Sequence, residues 1–230
     1  KSLCIKNREN DLCLLPYGLP EYRISGGKPV VAVGEDSYTL QVFGRHNLLN
    51  VNGARMICQQ LGVTSRLFFE AISSFTGASN RLERFYEKNS LTMFRDFAHA
   101  PSKLKATVQA VREFHPGQKI VACMELHTYS SLNRDFLDQY RDSMEDADKA
   151  FVFYSPHALT MKKLPDLDPG LVAAAFNKNG LKVFTSPDDL TEEIIKEAQK
   201  STVFLFMSSG NFGQLDFKGL TRSVAEKSLQ

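Results

Sequence analysis

LTMFRDFAHAP (residues 91–101), KIVACMELH (119–127) and TVFLFMSSG (202–210) share one construction. Each opens with a short apolar run rich in β-branched and aromatic residues, bounded by polar residues. That is the pattern of a buried strand. Two more runs repeat it at Lys149–Tyr154 and Leu181–Phe184, and the first three are read as Leu91–Phe94, Lys119–Met124 and Thr202–Met207. Helical spacing fills the gaps: Leu104, Val108 and Val111 after Pro101; Leu132, Phe136, Leu137, Tyr140 and Met144; Leu171, Val172 and Ala175; Leu190, Ile194, Ile195 and Ala198. Strands separated by helices predict an α/β fold with a parallel sheet and right-handed crossovers. Polar residues then collect where strands end: Asp96 and His99, Glu125 and His127, His157, and Ser208–Gly210. The crevice outside those carboxyl ends is where such sheets bind ligands.

The 43 residues upstream read as short strands and turns. Leu12–Leu15 is apolar, Pro16–Tyr17–Gly18 and Ser25–Pro29 are turns, and Tyr38–Phe43 alternates. A helix follows over Asn47–Leu61, stopped by Gly62, and a second runs from Thr64 to Gly77. The polar stretch Ala78–Asn89 reads as a hinge between domains.

Of 230 residues, 43% are hydrophobic and 23% charged, with a net charge of +2. That composition excludes a basic nucleic-acid-binding field. No apolar run reaches the length of a membrane span, and no secretory leader pattern is present. The four cysteines form no Cys-x-x-Cys pair, so reduced thiols and a cytoplasmic location are expected.

Several motifs admit two readings. Gly26–Gly27–Lys28 fails as a phosphate loop, since Pro29 stands where Ser or Thr is needed. Asn47 and Asn50 share a helix face, so they are either amides for an adenine edge or, for Asn47, an N-cap. Arg81 is either a ligand contact or a solvated charge, and Asp96 and His99 either meet a ligand or start a helix. His99, His127 and His157 lack metal-ligand spacing, and no Gly-x-Ser-x-Gly elbow supports a serine nucleophile.

In order along the chain, three segments resemble the Mur ligase family. GRHNLLN (44–50) is similar to its G-x-H-N-x-x-N signature, Phe75 to Glu83 to F-x-G-x-x-x-R-x-E, and DFAHAP (96–101) to D-[YF]-A-H-x-P. The resemblance implies a Rossmann-like C-terminal domain at 79–230, preceded over 1–78 by the tail of the central ATP-binding domain. It implies ATP and Mg2+ as cofactors, with the phosphate loop, its lysine and most magnesium ligands upstream of Lys1. Asn50 would read adenine with Asn47 in support, Arg81 and Asp96 would hold the ribose, and His99 and His127 would face the incoming amine.

Within the family, MSSGNFG (207–213) and Glu125 resemble members that join a recycled murein peptide to UDP-N-acetylmuramate. The runner-up joins L-alanine and carries Q-P-H-R-Y-S-R-T, where this chain has ELHTYSSL (125–132). His127, Tyr129 and Ser130 match, but Thr128 and Ser131 replace both arginines. The first arginine of the family's Arg-Arg pair is likewise replaced, by Asn80. Those losses keep open a silent member of the fold that only binds.

Overall fold

The computed structural model describes residues 5–7, 12–88 and 90–229, and divides into two compact units, Lys1–Thr76 and Gly77–Gln230. In the first unit β1 (Ile5–Asn7) pairs antiparallel with β2 (Leu12–Leu14). A three-stranded antiparallel sheet follows: β3 (Tyr22–Ser25), β4 (Lys28–Val33) and β5 (Asp36–Thr39). Gly26 and Gly27, at φ 58° and 70°, make the two-residue turn between β3 and β4. Positive φ at both positions matches the right-handed twist of a hairpin, so the Gly-Gly-Lys segment is a turn. The strand expected over Tyr38–Phe43 stops at Thr39. Leu40 and Val42 join Val31, Leu48, Val51, Phe68 and Phe69 in the core, and the next residue, Phe43, is buried too, which breaks the alternation.

Helix α1 (Arg45–Gln60) starts after Gly44, and α2 (Ser65–Ile72) is capped by Thr64, whose hydroxyl accepts from the Leu67 amide. The predicted Asn47 cap is corrected: Gly44 holds that position, at φ 87°, and Asn47 Nδ2 donates back to the Phe43 carbonyl at 2.9 Å. The second helix ends at Ile72 rather than Gly77, where Ser73 turns its hydroxyl onto the Phe69 carbonyl.

The second unit is built on a six-stranded sheet. Its strands are β6 (Glu83–Lys88), β7 (Leu91–Asp96), β8 (Lys119–Glu125), β9 (Lys149–Phe153), β10 (Lys182–Phe184) and β11 (Thr202–Met207). All five predicted strands are present and mutually parallel, in the order β10-β9-β8-β11-β7-β6. β6 is the correction to the expected hinge: part of the polar stretch pairs antiparallel with β7 as an edge strand. Edge strands carry charge on purpose, since it discourages pairing with other chains.

The helices are α3 (Pro101–Phe114), α4 (Pro156–Met161), α5 (Pro169–Phe176), α6 (Pro187–Glu197) and α7 (Phe217–Lys227). The helix expected through Leu132–Met144 is only a 3-10 turn, Arg134–Tyr140, with Leu137 and Tyr140 buried. Residues three apart line up in that tighter geometry. One face of the sheet buries Met93, Cys123, Phe151 and Phe206 against Leu190 and Ile194 of α6 and Leu220 and Val224 of α7. Burial pushes the Cys123 thiol well up, so it stays an inert core group. Cys58 is also a free thiol, whereas Cys4 lies outside the described residues. No helix among the described residues is long and apolar enough to cross a membrane.

Candidate functional site

Strand order places the site. The chain steps from β8 to β9 to β10, then returns to lay β11 between β8 and β7. The crevices on either side of β11 are therefore switch points, where a parallel sheet opens at its carboxyl edge. Met207, the last residue of β11, lies level with Asp96 on one side and Met124 on the other.

On the β8 side, Glu125 is 1% exposed and organises the crevice. Its Oε2 accepts from the Ser208 hydroxyl and from the Phe212 amide at 2.8 Å. The Ser208 oxygen in turn accepts from the Gly210 amide at 2.6 Å. His127 Nδ1 lies 3.6 Å from Glu125 Oε1, close enough to pair when protonated. Gly210 is required here: a Cβ would lie 2.7 Å from the His127 ring and 2.8 Å from Glu125 Oε2. Sequence reading put all four residues at strand ends, and the structure brings Glu125, His127, Ser208 and Gly210 together.

The segment after Glu125 closes on itself. The Thr128 amide donates to Ser131 Oγ at 2.9 Å, and the Ser131 amide donates to Thr128 Oγ1 at 3.1 Å. The two hydroxyls are 2.9 Å apart. Both side chains are thus occupied with each other. Lys162 sits 4.8 Å over the neighbouring Tyr129 ring.

On the β7 side, Asp96 is 6% exposed. Its Oδ2 accepts from Thr107 of α3 at 2.6 Å and its Oδ1 from the Leu82 amide at 3.3 Å. The Phe97 amide donates to the Asn80 carbonyl at 2.8 Å. These bonds hold a turn in which Asn80 and Leu82 sit at φ 53° and 49°, a region that disfavours residues with a Cβ. Arg81 projects from that turn, exposed and without a hydrogen bond or ion pair to its side chain among the described residues.

His99 Nδ1 is 2.9 Å from the Phe97 carbonyl. A carbonyl only accepts, so Nδ1 carries the proton and Nε2 is the open acceptor when the ring is neutral. Tyr140 fixes the same turn by donating to the His99 carbonyl at 2.6 Å. Burial pushes the Tyr140 hydroxyl up to about 12, with a bond to Ser131 opposing, so it remains a donor. His157 lies apart at the start of α4. Among the described residues no three metal-capable side chains converge. Asn47 and Asn50 belong to the first unit, on the first two turns of α1, with Asn50 exposed.

Residues 80–210 match the family model described as Mur ligase, glutamate ligase domain. The UDP-N-acetylmuramate–L-alanine ligase of Chlorobium phaeobacteroides is 32% identical over 182 residues, 77% of this chain and 39% of that protein. The chain belongs to the Mur ligase family. The ligase of the same name from Caldicellulosiruptor bescii is 28% identical over 177 residues, covering 76% of this chain and 38% of the relative. A solved UDP-N-acetylmuramate–alanine ligase from Thermotoga maritima superposes with a TM-score of 0.69 at 18% identity, over 90% of this chain and 46% of that one. A murein peptide ligase from Psychrobacter arcticus gives 0.56 at 20%, over 88% and 43%. At those identities the likeness shows the fold alone. This Mur ligase chain spans roughly two fifths of the length of its curated relatives, 39% in the first case.

Sequence reading missed Arg95, the residue before Asp96. Its guanidinium carbon lies 4.4 Å from the Phe217 ring centre and 5.0 Å from that of Phe85.

Proposed function

We propose that the intact protein is an ATP-dependent amide ligase of peptidoglycan assembly. It would act in the cytoplasm and join a murein peptide to the muramyl carboxylate of UDP-N-acetylmuramate. ATP with Mg2+ supplies the phosphoryl group that makes a carboxylate electrophilic, and the residues described here serve binding and orientation. Asn50 and Asn47 carry amides suited to an adenine edge, though the Asn47 amide already donates one hydrogen to Phe43. Arg81, unpaired among the described residues, offers a cation for the nucleotide. Asp96 holds the Arg81 turn through Leu82, so its effect on ATP runs through that turn as well as through any ribose hydroxyl. His99 Nε2 and His127 line the edge where the amine arrives, and either accepts a proton from it when neutral.

The observation that carries the peptide reading is the Thr128–Ser131 pair. These two hydroxyls satisfy each other and provide no fixed positive charge. A free amino acid presents its carboxylate one carbon from its amine and needs a cation there, whereas a peptide carries carboxylates farther off. The second reading, L-alanine as the amine, is favoured by the name shared by the sequence relatives. The test of the ligase reading is ADP release by the intact protein. Release should require both UDP-N-acetylmuramate and an amine, and kcat/KM should fall in Arg81→Ala by about 2–5 kcal/mol in transition-state terms. ADP release that needs neither substrate, or unchanged kinetics in a folded Arg81→Ala, would contradict it.

A further inference from the structure

Beside β11, toward β7, the second unit encloses a cleft of about 370 Å3. Arg95, Asn80, Ser209 and Asn211 contribute its polar lining, and Phe97 and Phe217 part of its apolar wall; among the described residues no aspartate or glutamate lines it. Two buried polar atoms there lack partners, Arg95 Nε and Ser209 Oγ. Among the described residues the Arg95 guanidinium has neither a carboxylate nor a hydrogen-bond acceptor. It is held instead against the Phe85 and Phe217 rings, which meet nearly edge to face at 87°.

Leaving a buried donor unsatisfied is costly, and more so for a charged group. A guanidinium cannot escape that cost by losing its proton, and it has no acceptor of its own. An anion suits this cleft best, since it accepts from the free Nε–H and balances the guanidinium charge. A planar fork of donors matches a carboxylate in two parallel bonds, and the phenylalanine wall suits an aliphatic stem better than a second hydrated charge. We infer that the cleft binds the carboxylate of an organic acid through Arg95 and Ser209, with its hydrocarbon stem against Phe97 and Phe217. On the ligase reading above, and only on it, that carboxylate is one borne by the amine substrate away from the reacting nitrogen.

The probe is glutarate, a carboxylate on a short aliphatic stem, with inorganic phosphate as a parallel arm. Both are titrated into the 230-residue chain while the arginine Nε–H resonances are followed by nitrogen-15 NMR, Arg95 being assigned by its loss in Arg95→Lys. The expected result is a saturable shift of the Arg95 resonance with glutarate. Affinity should fall about tenfold or more in Arg95→Met, equivalent to about 1.4 kcal/mol, and by a smaller factor in Ser209→Ala. Phosphate should bind more weakly. An unmoved Arg95 resonance, glutarate affinity unchanged in folded Arg95→Met, or a site that takes phosphate alone would overturn the inference. If Arg95→Met fails to fold, the wild-type resonance and Ser209→Ala carry the test. Glutarate bound at Arg95 in a protein without ligase activity would keep the cleft and discard the reaction. Ligation with no glutarate effect at Arg95 would do the reverse.

Discussion

Removing the Glu125 carboxylate should loosen the carboxyl edge of the sheet from a single point. In Glu125→Ala the buried Phe212 amide loses its acceptor, and the Ser208 hydroxyl loses the partner that aims its oxygen at the Gly210 amide. An unsatisfied buried N–H costs about 1–3 kcal/mol, and a hydrogen bond to a charged group is worth about 1.5–3. Ser208 is only half-buried and recovers part of its loss from water. Burying Glu125 at 1% exposure also carried a desolvation cost that disappears with it. The net destabilisation should be about 3 kcal/mol, a fall of roughly 6–12 °C in Tm at this size. Glu125→Gln keeps one acceptor oxygen and should lose about 1 kcal/mol. The chain has no tryptophan, so unfolding is followed by circular dichroism in urea. If both variants unfold within about 0.5 kcal/mol of wild type, Glu125 does not organise the crevice, because that is the range of an unconnected surface change.

Three further outcomes follow from the same geometry. Gly210→Ala drives a methyl against Glu125, which is fixed, and against His127, which is free to swing; a loss of about 1–3 kcal/mol is expected, with a shifted His127 resonance. Asp96→Asn and Thr107→Val should be non-additive, with a double-mutant coupling of about 0.5–3 kcal/mol; simple additivity would show that the bond does not hold α3 to β7. The Lys182 ammonium beside Glu193, together with Lys196, holds that carboxyl below its ordinary 4.5 despite burial. At Asp148 burial acts upward, but the Ile120 amide and Arg112 guanidinium outweigh it and lower the pKa from 3.8. In both cases the unfolded chain binds more protons than the folded one between the two values, so stability rises with pH there. Their contribution is complete above about pH 5 and fades as pH falls through the folded values. Glu193→Gln should flatten acid unfolding, and an unchanged acid limb would remove that ion pair from the account.

The parallel sheet was legible because its strands are nearly uniform apolar runs, buried on both faces, with helical spacing between them. β6 was not: Glu83, Arg84, Glu87 and Lys88 make it read as hinge, and only its pairing with β7 reveals the strand. α7 was given no bounds, although Leu220 and Val224 stand at helical spacing after β11. The site was legible wherever residues end strands, as at Glu125, His127 and Ser208. Arg95 was not, since its side chain matters through what it lacks. A guanidinium unpaired among the described residues is a property of the packing of Phe85 and Phe217, which lie ten residues before it and over a hundred after it in sequence.

The proposed reaction is amide ligation that prefers a peptide to a free amino acid. The direct measurement is the intact protein's kcat/KM for joining L-alanine, against an L-alanyl-γ-D-glutamyl tripeptide, to UDP-N-acetylmuramate with ATP and Mg2+. Extra contacts from the remote parts of a peptide contribute to orientation in the transition state, and the Thr128–Ser131 pair provides no cation for alanine's carboxylate. The expected result is a higher kcat/KM for the tripeptide. A higher value for L-alanine would contradict the account and leave L-alanine as the substrate.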